Sequence, residues 1–239
     1  MEKLDLLYEG KAKKVYKTDE AEILIVDYKD DATAFNGQKK GSIEGKGVIN
    51  NKMSNLLMQG LEKKGVPTHF VKELSDRETA VKKVKILPLE VIIRNISAGS
   101  FSQRYGVEEG IVFKNPTIEF SYKNDELGDP LLNDMHALAL GLCTEEELDT
   151  VKKYAFAVND FLKEVWSKCG ITLVDFKIEF GKLSDGTIVL ADEISPDTCR
   201  LWDSKTGKKL DKDRFRRDLG GTEEAYMEVM GRLLGSKEN

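Results

Sequence analysis

The sequence predicts an α+β protein of two lobes, a β-rich N-terminal lobe over residues 1–88 and an α+β C-terminal lobe over residues 89–239. Three observations lead to this. Runs of β-branched and aromatic residues crowd the first third, long amphipathic stretches at helical spacing stand in the second half, and Pro88 interrupts an apolar run where one region gives way to the other.

Taken in order, Ala12 to Tyr16 and Glu22 to Tyr28 read as strands separated by the polar break Thr18-Asp19-Glu20, which predicts a small antiparallel sheet. Near Asn50 the period changes: Met53, Leu56, Leu57, Met58 and Leu61 recur at helical spacing until Gly65-Val-Pro67. Two further strands are expected at Thr68 to Glu73 and Thr79 to Leu87, before Pro88 and the resumed run Leu89 to Ile93. Pro88 has no N–H for a ladder and biases Leu87 away from helix, so this segment reads as an extended crossover between the lobes. Residues 94 to 134 read as loops rich in Gly and Asn. Thr144-Glu-Glu-Glu147 then has the form of a capping box, and Leu148, Val151, Ala155, Val158, Leu162 and Val165 make one stripe of a long helix that stops at Gly170. A last helix is expected from Thr222 to Leu234, with Met227, Met230 and Leu233 turned inward.

Composition narrows the function classes. The chain has 239 residues, 40% hydrophobic and 33% charged, with a formal net charge of -5. It lacks the basic field of a nucleic-acid binder and any run long enough to span a bilayer, so the expected partners are small molecules, with no nucleic acid and no membrane. The N-terminus has no signal-peptide core, and a cytoplasmic location is expected. Cys143, Cys169 and Cys199 are widely spaced and read as small buried hydrophobes, not as a disulfide framework or a zinc site. With only His69 and His136 in the chain, attention falls on carboxylates, lysines and arginines.

Leu173 to Gly181 alternates, placing Asp175, Lys177 and Glu179 on one face and Val174, Phe176, Ile178 and Phe180 on the other. Asp185-Gly186 follows as a hairpin turn, and the return strand is Thr187 to Ile194. If the loop is those two residues, Ser184 pairs with Thr187 and Glu179 stands directly opposite Asp192. Two carboxylates so placed repel unless a cation lies between them or one is protonated. Magnesium suits the pair, since it takes one or two carboxylates together with phosphate oxygens and water. Lys177 in a structural salt-bridge network would neutralise it equally well. Asp192 to Asp203 adds acids and Arg200 in a loop at the same end.

Gly10-Lys11-Ala12-Lys13 at a strand start offers close backbone approach and two lysines on one face, which suits a polyphosphate, although edge lysines that oppose aggregation have the same pattern. It is not a Walker A loop. Arg94, at a strand end before Gly99 and Ser100, suits a phosphate or carboxylate, and equally a salt-bridged turn. Lys212 to Arg217 is the densest basic cluster and reads alone as a solvated helical face.

Together these segments resemble a known family. Tyr8-Glu-Gly-Lys-Ala-Lys13, Gly45-Lys-Gly-Val-Ile-Asn-Asn51, Pro88-Leu-Glu-Val-Ile-Ile-Arg-Asn95, Ala98-Gly-Ser100, Lys123-Asn-Asp125, Asp129-Pro130, Val174-Asp-Phe-Lys-Ile-Glu-Phe-Gly181 and Asp192-Glu-Ile-Ser-Pro-Asp197 resemble, in order, the phosphoribosylaminoimidazole-succinocarboxamide (SAICAR) synthetases. The resemblance implies a two-lobed ATP-grasp/protein-kinase-like fold with ATP in the cleft. It also implies a ligase of purine biosynthesis that joins L-aspartate to carboxyaminoimidazole ribonucleotide (CAIR), using ATP and Mg2+. Carried over by position, Lys11, Lys13, Val15, Ile86 and Lys123 would meet the nucleotide, and Arg94, Ser100, Asp175, Arg200 and Arg216 the ribonucleotide. Glu179 and Asp192 would hold magnesium and, with Lys177, form the catalytic group. A homodimer is implied by the same resemblance. Asn36 stands where some relatives carry an acid, and no carboxylase domain like that of the bifunctional animal enzyme follows, so synthetase activity alone is expected. A small-molecule kinase of similar fold or a non-catalytic nucleotide-binding module are the alternatives.

Overall fold

The computed structural model describes residues 1–34 and 37–236, so Asn36 lies outside the described residues. Along the chain come β1 (Lys3–Glu9), β2 (Lys13–Thr18), β3 (Ile23–Tyr28), β4 (Asp31–Ala34), β5 (Lys39–Ser42), α1 (Lys46–Lys63), β6 (Phe70–Glu73), β7 (Glu78–Lys82) and β8 (Lys85–Ile96). They are followed by α2 (Gly99–Tyr105), β9 (Val112–Tyr122), β10 (Leu131–Leu132), α3 (Asp134–Ala139), α4 (Glu145–Lys168), β11 (Ile171–Lys182), β12 (Ile188–Ala191), β13 (Cys199–Asp203), α5 (Asp213–Arg216) and α6 (Thr222–Gly235).

Two antiparallel sheets carry the architecture. The first has the order β1-β2-β3-β7-β6; the second has β10-β9-β8-β11-β12, with β13 pairing the N-terminal half of β11. The chain passes between them at residues 83 and 84, a little before the expected crossover. Pro88 does not interrupt the strand. It sits inside β8, at an irregularity where the pairing steps from Ile86–Gly181 to Glu90–Glu179, and a bulge is where a strand tolerates a missing donor. Its carbonyl still accepts the Lys123 N–H at 3.0 Å.

The main core lies between the second sheet and α1, α4 and α6. It joins Met53, Leu57 and Leu61 to the stripe Leu148, Val151, Ala155, Val158, Leu162 and to Phe176, Ile178 and Phe180 of β11. Each of these side chains other than Ala155 contributes roughly 1.5–3 kcal/mol on burial. On α6 the buried stripe is Tyr226, Val229, Met230 and Leu233, and Met227 is exposed, contrary to expectation, because it lies a third of a turn off that face. The expected loop region from 94 to 134 contains α2 and the long strand β9. Pro116 is accommodated there because β10 pairs only with Phe120 and Ser121 and leaves that part of β9 as an edge.

The β11–β12 hairpin differs by one residue from the expected register. The Leu183 N–H donates to the Thr187 carbonyl at 2.9 Å and the Gly186 N–H to the Leu183 carbonyl at 3.0 Å, so Ser184, Asp185 and Gly186 form a three-residue loop. Gly186 takes φ +89, a left-handed position that a glycine fills without strain. Glu179 therefore faces Ala191, not Asp192. A second shift, between Leu173 and Asp175 against β13, turns Val174 out of the main core into a small cluster with Ile96, Ala98 and Trp202.

Candidate active site

A cavity of about 830 Å³ is lined by residues from both sheets, among them Lys11, Lys13, Arg94, Ser100, Lys123, Lys177, Glu179, Asp192 and Arg216. Gly10 turns the chain into β2 by donating its N–H to the Lys13 carbonyl at 2.8 Å, which aims Lys13 at the second sheet. Asp192 meets it there. The residue closes β12 with φ +59, a conformation that a short polar side chain tolerates, and this turn brings its carboxylate to Lys13 although the register alone would send it to the opposite face.

Lysines and acids alternate around this end. Lys13 pairs with Asp192 and lies 3.3 Å from Glu193, Lys123 donates to Glu179 at 2.6 Å, Lys177 pairs with Glu90, and Lys11 donates to Asp125 at 2.8 Å. Burial and then the charge of Asp192 push Glu179 up, while Lys123 and Lys177 pull it back. Asp192 itself, despite burial, is held at about 2 by Lys13, Lys177 and Lys123. Lys13 is raised well above the usual lysine range, because Asp192 and Glu193 outweigh its desolvation. Burial lowers His69 to about 4, so it stays neutral near pH 7. Glu179 and Asp192 thus repel one another within one cavity, which is the condition a cation relieves. Among the described residues no cluster of three or more His, Cys, Asp or Glu forms an all-protein cage. Two carboxylates with room for phosphate and water fit magnesium brought with a nucleotide.

The second end is a ladder of arginines and acids. Arg94, buried, donates through Nε to Glu119 at 3.0 Å, through Nη1 to Asp175 at 2.9 Å and through Nη2 to Ser100 at 3.1 Å. Arg200 donates through Nη1 to Asp175 at 2.9 Å and through Nε to Asp213 at 3.0 Å, and Arg216 completes the series on Asp213 at 2.7 Å. Asp175 and Arg200 do not line the cavity, whereas Arg94, which Asp175 holds, and Arg216, which shares Asp213 with Arg200, do. Ser100 rides on α2, which opens at Gly99 with φ +54; a Cβ there would lie 2.3 Å from an Arg200 nitrogen, so only glycine lets this turn pack on the ladder.

Two expected nucleotide contacts are not part of the lining. Val15 packs against the small core of Val26, Tyr28 and Val81, and Ile86 lies opposite Gly181. Conversely, Glu90 and Ser121 line the cavity without having been expected there, Glu193 and Asp197 come from the acidic loop expected at this end, and Lys212 comes from the basic cluster that read as a solvated face. The first had a signal, since Leu89 to Arg94 alternates and puts Glu90 on the face of Arg94. Ser121 was hidden in a segment read as loop.

The family profile of SAICAR synthetase matches residues 6–233. A phosphoribosylaminoimidazole-succinocarboxamide synthase of Lachnoclostridium phytofermentans is 67% identical over 233 residues, covering 98% of this chain and 99% of that protein. A solved SAICAR synthetase in complex with ADP superposes with TM-score 0.93 at 48% identity, covering 95% of this chain and 97% of the other. The Saccharomyces cerevisiae SAICAR synthase in complex with SAICAR superposes with TM-score 0.80 at 25% identity, covering 97% and 95%. With the profile match over residues 6–233 and this identity, the chain belongs to the SAICAR synthetase family.

Proposed function

We propose that this chain ligates L-aspartate to the carboxylate of CAIR in purine biosynthesis, converting ATP to ADP and phosphate and releasing SAICAR. The observation that carries the proposal is one cavity that joins a lysine- and carboxylate-rich end to an arginine ladder, in a chain of this family. ATP enters the cleft between the lobes 1–88 and 89–239, with its phosphates among Lys11, Lys13 and Lys123. The ribonucleotide is held by Arg94, Ser100 and Arg216, with Asp175 and Arg200 fixing their directions.

The γ-phosphoryl group passes to the CAIR carboxylate, breaking the bond to the β-phosphate oxygen and forming an acyl phosphate. The aspartate amine then attacks the acyl carbon, and phosphate leaves as the amine loses its proton. No protein nucleophile is needed, so catalysis rests on placement and charge. Lys13 and Lys177 stabilise the negative charge that moves between phosphate oxygens. Glu179 and Asp192 would hold magnesium, which would supply further charge neutralisation to the phosphates. The family's cytoplasmic, homodimeric setting is proposed for this chain as well.

ADP release measured with each substrate omitted in turn tests the reading. ADP formation that requires ATP, CAIR and aspartate together, with SAICAR as product, is expected; release without aspartate, or phosphorylation of a hydroxyl, would overturn it.

A further inference from the structure

Four lysines of the cavity each have an acid of their own: Lys11 has Asp125, Lys13 has Asp192, Lys123 has Glu179 and Lys177 has Glu90. Lys212 differs. Its nearest carboxylate oxygen, Asp197 Oδ2 at 3.6 Å, already accepts Lys46 Nζ at 2.8 Å, and Oδ1 accepts the Tyr226 hydroxyl at 2.5 Å. Lys46 and Tyr226 are wholly buried. Neither can meet a ligand, and Asp197 is their side-chain hydrogen-bond partner among the described residues.

Two ammonium groups thus share one carboxylate, and only Lys212 reaches the cavity wall, where its side chain is 13% exposed. The positive charge in excess is therefore presented by Lys212. Its surroundings oppose that charge: burial lowers its pKa, Arg216 and Lys46 lower it further, and Asp197 and Glu193 only partly offset them. A poorly hydrated cation with half a partner is stabilised by an anion entering from the open side. The arginine ladder is already placed for the ribonucleotide, and the paired lysines lie around the phosphate end.

We propose that Lys212 receives a carboxylate of the L-aspartate substrate, supported from behind by the buried unit of Lys46, Asp197 and Tyr226. This assignment rests on the ligase reading and adds the amino-acid subsite to it. Asp197 and Tyr226 are positioning residues here, since neither needs to touch the amino acid.

Steady-state kinetics of Lys212→Met, with each of the three substrates varied, decides the matter. A charged hydrogen bond lost on binding predicts a KM for L-aspartate raised about 10- to 100-fold, with the KM values of ATP and the ribonucleotide moved less than about twofold. Lys212→Arg keeps the charge and should recover most of the aspartate KM; should the Met variant fail to fold, Lys212→Gln takes its place, with the same rise confined to aspartate expected. An unchanged aspartate KM, or a rise confined to the ribonucleotide, overturns it. Wild-type ADP release that ignores aspartate would instead overturn the ligase reading, so the two failures are distinguishable.

Discussion

The Asp211 carboxylate accepts the Leu201 N–H at 2.8 Å and the Asp213 N–H at 2.7 Å, joining β13 to the start of α5 just behind the arginine ladder. Burial, then the charge of Asp213, push its pKa up to about 7, against the pull of those two N–H groups and Arg216. A folded pKa above the unfolded value of about 3.9 means that the native state holds the extra proton. This group's contribution is then fully present below about pH 4, and falls by about 1.4 kcal/mol per pH unit until pH passes about 7. Urea unfolding of the protein and of Asp211→Asn should give curves whose difference changes between pH 4 and 7 and levels off above it. Parallel curves would show that Asp211 ionises normally. Nothing in the sequence marks this residue, which precedes the cluster Lys212 to Arg217 that reads alone as a solvated helical face. Their partners, Asp197, Arg200 and Glu109, arrive from elsewhere in the chain.

Helix α4 shows what local spacing can establish. Thr144 accepts the Glu147 N–H at 3.2 Å and Glu147 returns the contact to the Thr144 N–H at 3.0 Å, forming the capping box that the sequence predicts. Glu147 also accepts Lys182 of β11 at 2.5 Å, so the cap ties the helix to the site's own hairpin. Thr144→Ala should destabilise the protein by about 1 kcal/mol, lowering Tm by about 2–4 °C with the kinetic constants unchanged. A change in substrate KM would instead mean that the helix start positions the site. Strands β1 and β9 escaped the sequence because neither alternates cleanly. Leu6, Leu7 and Tyr8 run together on an edge exposed throughout, and in β9 the polar run Lys114, Asn115 and Pro116 follows Val112 and Phe113.

At the scale of the whole molecule, the cavity lies where the two sheets meet, and Lys13 of the first pairs there with Asp192 at the end of the second. Ligand binding across it should stabilise both sheets together. ADP with magnesium, at about 100 times its Kd, should add about 2.7 kcal/mol of stability, read as a rise in Tm. Chelator should remove most of that rise, and Glu179→Gln should show little metal-dependent gain. Equal shifts with and without magnesium would refute the Glu179 and Asp192 assignment. The sequence by itself determined what depends on neighbours within a few residues: the helical stripe and cap of α4, the alternation that puts Lys177 and Glu179 on one face, and the ordered motifs of the family. Only the tertiary structure decided that Glu179 faces Ala191, and that Asp192 nevertheless returns to the site. A strand's side chains repeat every two residues, so one extra loop residue reverses a face. What restored it was a left-handed turn completed by a lysine 179 residues away, which no local pattern encodes.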